Sequence, residues 1–184
     1  MDITPSAPNT LESTVELLNL FDKMKAVRAF VFDVDGVLTN NTIVVTEAGE
    51  LLRTMNVRDG LAIKLAVRAG FPVGIITGGR SEGAKKRLTD LGVEEYYSGI
   101  SDKSPAFQSF MQRKGVSAAE ICYMGDDLPD LAVMRRVMLS ACPADAIPEL
   151  LGSCDHVSPL VVGAGCVRDI LEKVMKIQGK WPIY

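Results

Sequence analysis

The stretch Phe30-Val31-Phe32-Asp33-Val34-Asp35-Gly36-Val37-Leu38-Thr39 constrains this chain more than any other segment. An apolar run that reads as a buried parallel strand ends in two carboxylates two residues apart, followed at once by glycine. Side chains alternate along an extended backbone, so Asp33 and Asp35 fall on the same side if the strand geometry persists that far. Ligands of an open α/β sheet collect at the carboxyl ends of its strands. Two like charges held so close need a cation or a shared proton to relieve them. An all-oxygen donor set favours magnesium among the cations. The competing reading is a turn that merely uses Asp and Gly for their backbone freedom.

The rest of the chain alternates strands with helices. Residues 1–9 read as a loose arm, and Thr10 can cap a helix in which Leu11, Val15, Leu18 and Phe21 recur at helical spacing. A first strand is expected over 27–32 and a β-hairpin over 42–56, built on Ile43-Val44-Val45 and the turn Glu47-Ala48-Gly49-Glu50. Asp59 or Gly60 opens a helix reaching 69. A strand over 73–76, the turn Thr77-Gly78-Gly79 and a helix over 81–91 follow. Then come a short strand at 96–97, a helix over 103–114, a buried strand over 121–124 and a helix through 136. An edge strand over 137–141 and a last helix over 164–177 complete the order. The pattern predicts an α/β fold, a three-layer Rossmann-like parallel sheet with helices on both faces, as one domain over 1–184.

With 47% hydrophobic and 23% charged residues in 184, the composition is that of an ordinary globular chain rather than a disordered one. A formal net charge of -3 gives no electrostatic reason to expect nucleic acid or an anionic membrane as partner. Cys122, Cys142, Cys154 and Cys166 show no C-x-x-C spacing and lie in core-like segments, which suits a reducing compartment. Met1-Asp2-Ile3-Thr4-Pro5 lacks the pattern of a secretory signal, and no run is long enough to span a bilayer. A cytoplasmic protein is expected.

Three further features carry chemistry. Thr77-Gly78 offers a hydroxyl and backbone N–H groups at a helix start, which can hold phosphate oxygens or simply make a turn. Lys103 alone reads as a solvated helix residue. Gly125-Asp126-Asp127-Leu128-Pro129-Asp130 again places acids after a buried strand, as ligands or as a helix cap. Parallel strands end along one edge, so Asp33, Asp35, Thr77, Lys103 and Asp126 can converge on one small anion.

In this order and spacing the chain resembles the haloacid dehalogenase-like phosphohydrolases over nearly its whole length. The resemblance implies that Asp33 is a nucleophile forming an aspartyl-phosphate and that Asp35 is the general acid and base. Mg²⁺ would be held by Asp33, Asp126 and the backbone carbonyl of Asp35, with Asp127 assisting through water. Thr77, nearby N–H groups and Lys103 would stabilise charge on the phosphoryl oxygens. The gaps between the motifs leave no room for a cap domain.

The 42–56 hairpin, the box Asn56-Val57-Arg58-Asp59-Gly60 and Gly125-Asp126-Asp127-Leu128 are similar to the capless 3-deoxy-D-manno-octulosonate 8-phosphate phosphatases. That resemblance implies a homo-oligomer, a tetramer associated through the hairpins, in which neighbours complete the pocket and a C-terminal segment reaches an adjacent site. It also implies a small sugar-acid phosphate as substrate, contacted by Asp35, Asn56, Val57, Arg58, Asp59, Gly60, Lys64, Gly78, Gly79, Arg87 and Lys103. Gly163-Ala164-Gly165-Cys166-Val167-Arg168 is similar to the glycine-rich segment that opens the family's last helix, with Val162 and Cys166 as departures. A second departure is Gly79, because many relatives carry arginine there; here Arg80 stands one place later. Lys85-Lys86-Arg87 also reads as a solvated helix face, and His156, the single histidine, is assigned no role. The alternatives are a phosphatase for a nonulosonate 9-phosphate and, outside enzymology, a phosphorylation-dependent receiver domain.

Overall fold

The computed structural model describes residues 20–182. The arm at 1–9 and the start of the first helix lie outside the described residues; its end, α1, is helical over 20–26, with Met24 buried and Phe21 exposed. In chain order there follow β1 (Ala29–Phe32), the pair β2 (Val44–Val45) and β3 (Leu51–Leu52), α2 (Val57–Arg68), β4 (Val73–Ile76), α3 (Glu82–Asp90) and β5 (Glu95–Tyr97). Then come α4 (Lys103–Lys114), β6 (Ile121–Met124), α5 (Leu131–Met134), β7 (Leu139–Cys142), α6 (Pro148–Leu151), β8 (His156–Val157) and α7 (Cys166–Ile177).

Six strands form one parallel sheet in the order β5-β4-β1-β6-β7-β8. The chain winds outward from β1 to β5 and then returns to β6, so the winding reverses between β1 and β6. Ligands bind at such a switch point, outside the carboxyl ends of the strands. Alternation along the strands divides the core in two. Phe30, Phe32, Ile75 and Met124 pack with α2, α3 and α7 on one face, where Ala62, Ile63, Leu88, Ile170 and Val174 are buried. Ala29, Val31, Ile76 and Tyr123 pack with α4, α5 and α6 on the other, against Phe107, Phe110, Val133 and Leu150. The parallel three-layer architecture is as the alternating pattern required.

Three boundaries differ from the sequence reading, each for a local reason. Helix α2 begins at Val57, ahead of Asp59, because the Asn56 side chain accepts from the Arg58 N–H and caps it there. The segment after Asp126-Asp127 is a 3₁₀ turn, Leu128–Asp130, before the four-residue α5, instead of one helix to 136. Strand β7 is not the edge: β8 pairs outside it, Ala141 with His156. That added strand is two residues long and is held by the Asp155 carboxylate, which accepts from the Ser140 N–H and hydroxyl. Too short to show a period, it left no signal in the sequence.

The hairpin forms as expected, with Val44 opposite Leu52 and Val45 opposite Leu51, and a further bridge between Thr39 and Met55 ties it to the segment after β1. Val44, Val45, Leu51 and Leu52 are all exposed.

Candidate active site

The chain turns sharply after β1. Gly36 has φ +82°, and the Asp126 carboxylate occupies the place that a Cβ would take there. Only glycine permits both the left-handed backbone and that approach. The β1 and β6 turns are thereby pressed together at the reversal of winding.

Asp33 is 8% exposed, and its Oδ2 lies 2.7 Å from Lys103 Nζ, while the Val34 N–H donates to Oδ1 at 2.6 Å. Lys103, the first residue of α4, is also 2.7 Å from Asp130 Oδ1. Asp130 is fully buried and has no spare capacity: the Tyr123 hydroxyl donates to it at 2.6 Å, and the Asp126 and Asp127 N–H groups donate at 3.2 and 3.4 Å. It therefore fixes both Lys103 and the turn that carries Asp126. Carboxylate oxygens of Asp33, Asp126 and Asp130 lie within 4.8 Å of one another.

These three carboxylates against the single ammonium of Lys103 leave a formal charge of 1 − 3 = −2 in a buried space. Burial, then repulsion from Asp130, pushes Asp33 up to about 6 despite Lys103. Burial, then Asp33 and Asp130, pushes Asp126 up to about 7. Burial would lower the Lys103 ammonium, but Asp130 and Asp33 outweigh it and raise it. An excess of two negative charges on hard oxygens is the donor chemistry of a divalent cation such as Mg²⁺.

The rest of the rim is polar and close. Thr77, buried at the end of β4, accepts the Gly79 N–H on Oγ1 at 3.2 Å. Asp33, Asp35, Thr77, Gly78, Gly79, Lys103, Asp126 and Asp127 line one cavity of about 440 Å³. Asp127 is exposed there and caps the 3₁₀ turn, accepting from the Leu128 N–H at 2.7 Å.

The other residues of the expected substrate set lie elsewhere on the chain. Asn56, besides capping α2, donates from Nδ2 to the Gly163 carbonyl at 3.1 Å. Arg58 lines a separate cavity of about 490 Å³ beside the start of α7. Asp59 is buried and accepts the Arg168 N–H at 2.7 Å, leaving Oδ2 without a partner among the described residues. Gly60 lies under the Arg87 guanidinium, 2.9 Å from where a Cβ would sit. Val57, Arg80 and Arg87 line a third cavity with the hairpin, of about 850 Å³, and Lys64 is exposed on α2.

Three residues at the site are not among those that the sequence singles out. Asp130 was visible only as part of an acidic cluster. Asn41, at φ 59°, donates to Asp126 Oδ2 at 3.4 Å; the Asn40-Asn41 pair after Thr39 was its signal, since Asn tolerates that conformation. Arg53 grips Asp35 from the hairpin with two hydrogen bonds, and nothing in its sequence neighbourhood marks it.

A 3-deoxy-D-manno-octulosonate 8-phosphate phosphatase from Salmonella typhi is 36% identical over 162 residues, covering 88% of this chain and 86% of that protein. The chain belongs to the 3-deoxy-D-manno-octulosonate 8-phosphate phosphatase family. Among solved structures, a haloacid dehalogenase superfamily hydrolase from Legionella pneumophila superposes with TM-score 0.90 at 33% identity, covering 93% of this chain and 94% of that one. The family enzyme of Moraxella catarrhalis, solved with magnesium, phosphate and the octulosonate, superposes with TM-score 0.84 at 28% identity over 87% and 92% of the two chains. No family model matches the sequence. The six-stranded parallel sheet flanked by helices is thus that of the haloacid dehalogenase fold.

Proposed function

We propose that this protein is a Mg²⁺-dependent phosphomonoesterase that hydrolyses 3-deoxy-D-manno-octulosonate 8-phosphate to the free sugar acid and phosphate, in lipopolysaccharide precursor synthesis. The observation that carries the reading is the gathering of Asp33, Asp35, Thr77, Lys103 and Asp126 around one cavity, in a chain of this family. Asp33, Asp126 and the Asp35 carbonyl are the groups to hold Mg²⁺, which would supply the positive charge that lets a carboxylate approach a phosphate dianion.

Asp33 attacks phosphorus and forms the acyl-phosphate P–O bond. As the bond to the sugar oxygen breaks, its electron pair stays on that oxygen, which takes a proton from Asp35. Water then attacks phosphorus and gives a proton to Asp35, and the electron pair of the cleaved acyl-phosphate bond returns to the Asp33 carboxylate. Lys103 and the N–H groups around Thr77 hold the phosphoryl oxygens throughout. Lys103 also keeps Asp33 in its attacking position at rest, through their 2.7 Å contact.

The protein acts in the cytoplasm as a homo-oligomer, a tetramer joined through the hairpins. Arg58, Lys64 and Arg87 do not line the Asp33 cavity of their own chain, and they would meet the carboxylate of the sugar acid in the site of a neighbour. A panel of sugar phosphates tests the whole reading. The eight-carbon acid phosphate is expected to give the highest kcat/KM, with the nine-carbon nonulosonate 9-phosphate lower and turnover abolished by EDTA. A single burst of phosphate without turnover would identify a receiver domain instead.

A further inference from the structure

We propose that Arg53, brought in by the hairpin, is the positioning residue for Asp35, and that position 79 is glycine so that this pair can form. The inference rests on the reading of Asp35 as the acid and base. Arg53 Nε donates to Asp35 Oδ1 at 2.6 Å and Nη2 donates to Oδ2 at 3.0 Å, a two-pronged contact. Its Nη1 donates to the Leu51 carbonyl at 3.2 Å, which anchors the guanidinium to β3. The Arg53 side chain is 5% exposed, on a hairpin whose apolar side chains face solvent. A planar fork buried against one carboxylate fixes direction as well as distance.

Gly79 explains how the fork fits. A Cβ there would stand 2.7 Å from Asp35 Oδ2 and 3.0 Å from Arg53 Nη2, so a side chain at 79 and the Arg53–Asp35 pair compete for one space. Arg80 does not substitute for the missing side chain. Its guanidinium packs over Gly99, and it lines the hairpin cavity rather than the one that holds Asp33. The positive group beside Asp35 therefore comes from the hairpin instead of the β4 turn.

The fork takes one lone pair on each Asp35 oxygen and leaves the others for the travelling proton. Asp35 is otherwise partly exposed. Misplacing a proton donor by about 1 Å can cost about 100-fold in rate. The hairpin thus reaches the chemistry through one side chain, in addition to any part it takes in assembly.

The test compares leaving groups, using kcat/KM with Mg²⁺ for the sugar-acid phosphate and for 4-nitrophenyl phosphate, whose phenolate departs with little need of a proton. Asp35→Asn calibrates the comparison, because loss of the acid should harm the sugar substrate far more than the aryl one. Arg53→Ala is expected to lower kcat/KM for the sugar phosphate about 10- to 100-fold, with a loss for the aryl phosphate about tenfold smaller. Arg53→Lys, which keeps charge without the fork, should fall between. Gly79→Ala, which removes no polar group, should show the same selectivity by forcing the pair apart. Equal losses on both substrates in Arg53→Ala, or none, beside a selective Asp35→Asn, would overturn the positioning role and leave the phosphatase reading standing. A non-selective Asp35→Asn would overturn the role of Asp35 itself, and the positioning role with it. If Arg53→Ala does not fold, Gly79→Ala and Arg53→Lys decide by the same comparison.

Discussion

Lys103 sits between two buried carboxylates, 2.7 Å from each, and this makes it a structural cation in addition to its proposed catalytic role. Removing one member of such a cluster costs more than the contact itself, because the charges left behind stay buried. Lys103→Met should therefore destabilise the fold by about 3–5 kcal/mol, read by urea denaturation, in addition to abolishing activity. Asp33→Asn makes the opposite prediction. An amide cannot form the acyl phosphate, yet one carboxylate fewer relieves the repulsion that raises Asp126, so turnover should vanish while the urea midpoint holds or rises. Substantial residual turnover, or a collapsed midpoint, would refute the assignment. The residues that gather at the candidate site were legible in the sequence because each follows an apolar run: Asp33 and Asp35 after β1, Thr77 after β4, Asp126 after β6. Arg53 was not, because it acts across 18 residues from an exposed-looking hairpin, and only tertiary structure turns its side chain inward.

The joint between α2 and α7 is the element-scale feature with a measurable consequence. Asp59, in the first turn of α2, accepts the Arg168 N–H at the start of α7, and its other oxygen is buried without a partner among the described residues. Burial pushes its carboxyl from 3.8 to about 6, although the Arg168 N–H and charge pull it down. The folded chain thus holds this proton more tightly than the unfolded one. The corresponding stability is complete below about pH 4 and is lost as the pH rises through about 6. Asp59→Asn keeps an acceptor for Arg168 and carries no charge at any pH. Its stability relative to the parent chain should rise between about pH 4 and 7, by on the order of 2–3 kcal/mol. Urea denaturation at several pH values measures the difference, and a flat difference would remove Asp59 as the titrating group. Element positions were readable wherever the alternation of strand, turn and helix marked them, as for α3 after Thr77-Gly78-Gly79 and for α4 from Lys103. They were not readable for β8 and α6, two and four residues long, which owe their form to neighbours rather than to a pattern of their own.

At the scale of the whole molecule, one group of the apolar side chains left outside the core lies on the hairpin and the helix after it. Val44, Val45, Leu51 and Leu52 on the hairpin are joined by Val57 and Leu61 on α2, with Val45 at 66% and Val57 at 75% exposure. Exposed apolar side chains gathered on one hairpin and the helix after it are what an interface would cover. The basic residues expected to meet the sugar acid, Arg58, Lys64 and Arg87, lie on α2 and α3, and none lines the cavity holding Asp33. In a single chain the proposed reaction centre and the proposed recognition residues line different cavities, which is why the strand-end pattern and the family resemblance could name both sets without saying how they meet. Association through the hairpins would join them, and the two roles can be separated. Val44→Asp with Leu52→Asp places two charges in the apolar patch and touches no residue of the Asp33 cavity. The double variant should shrink the particle measured by light scattering and lower kcat/KM for the sugar-acid phosphate by about 10- to 100-fold through the loss of charge-assisted contacts. Its rate on 4-nitrophenyl phosphate, which carries no carboxylate to recognise, should fall far less. A smaller particle with full activity on the sugar acid would place recognition within one chain, and an unchanged particle would place the interface away from the hairpin.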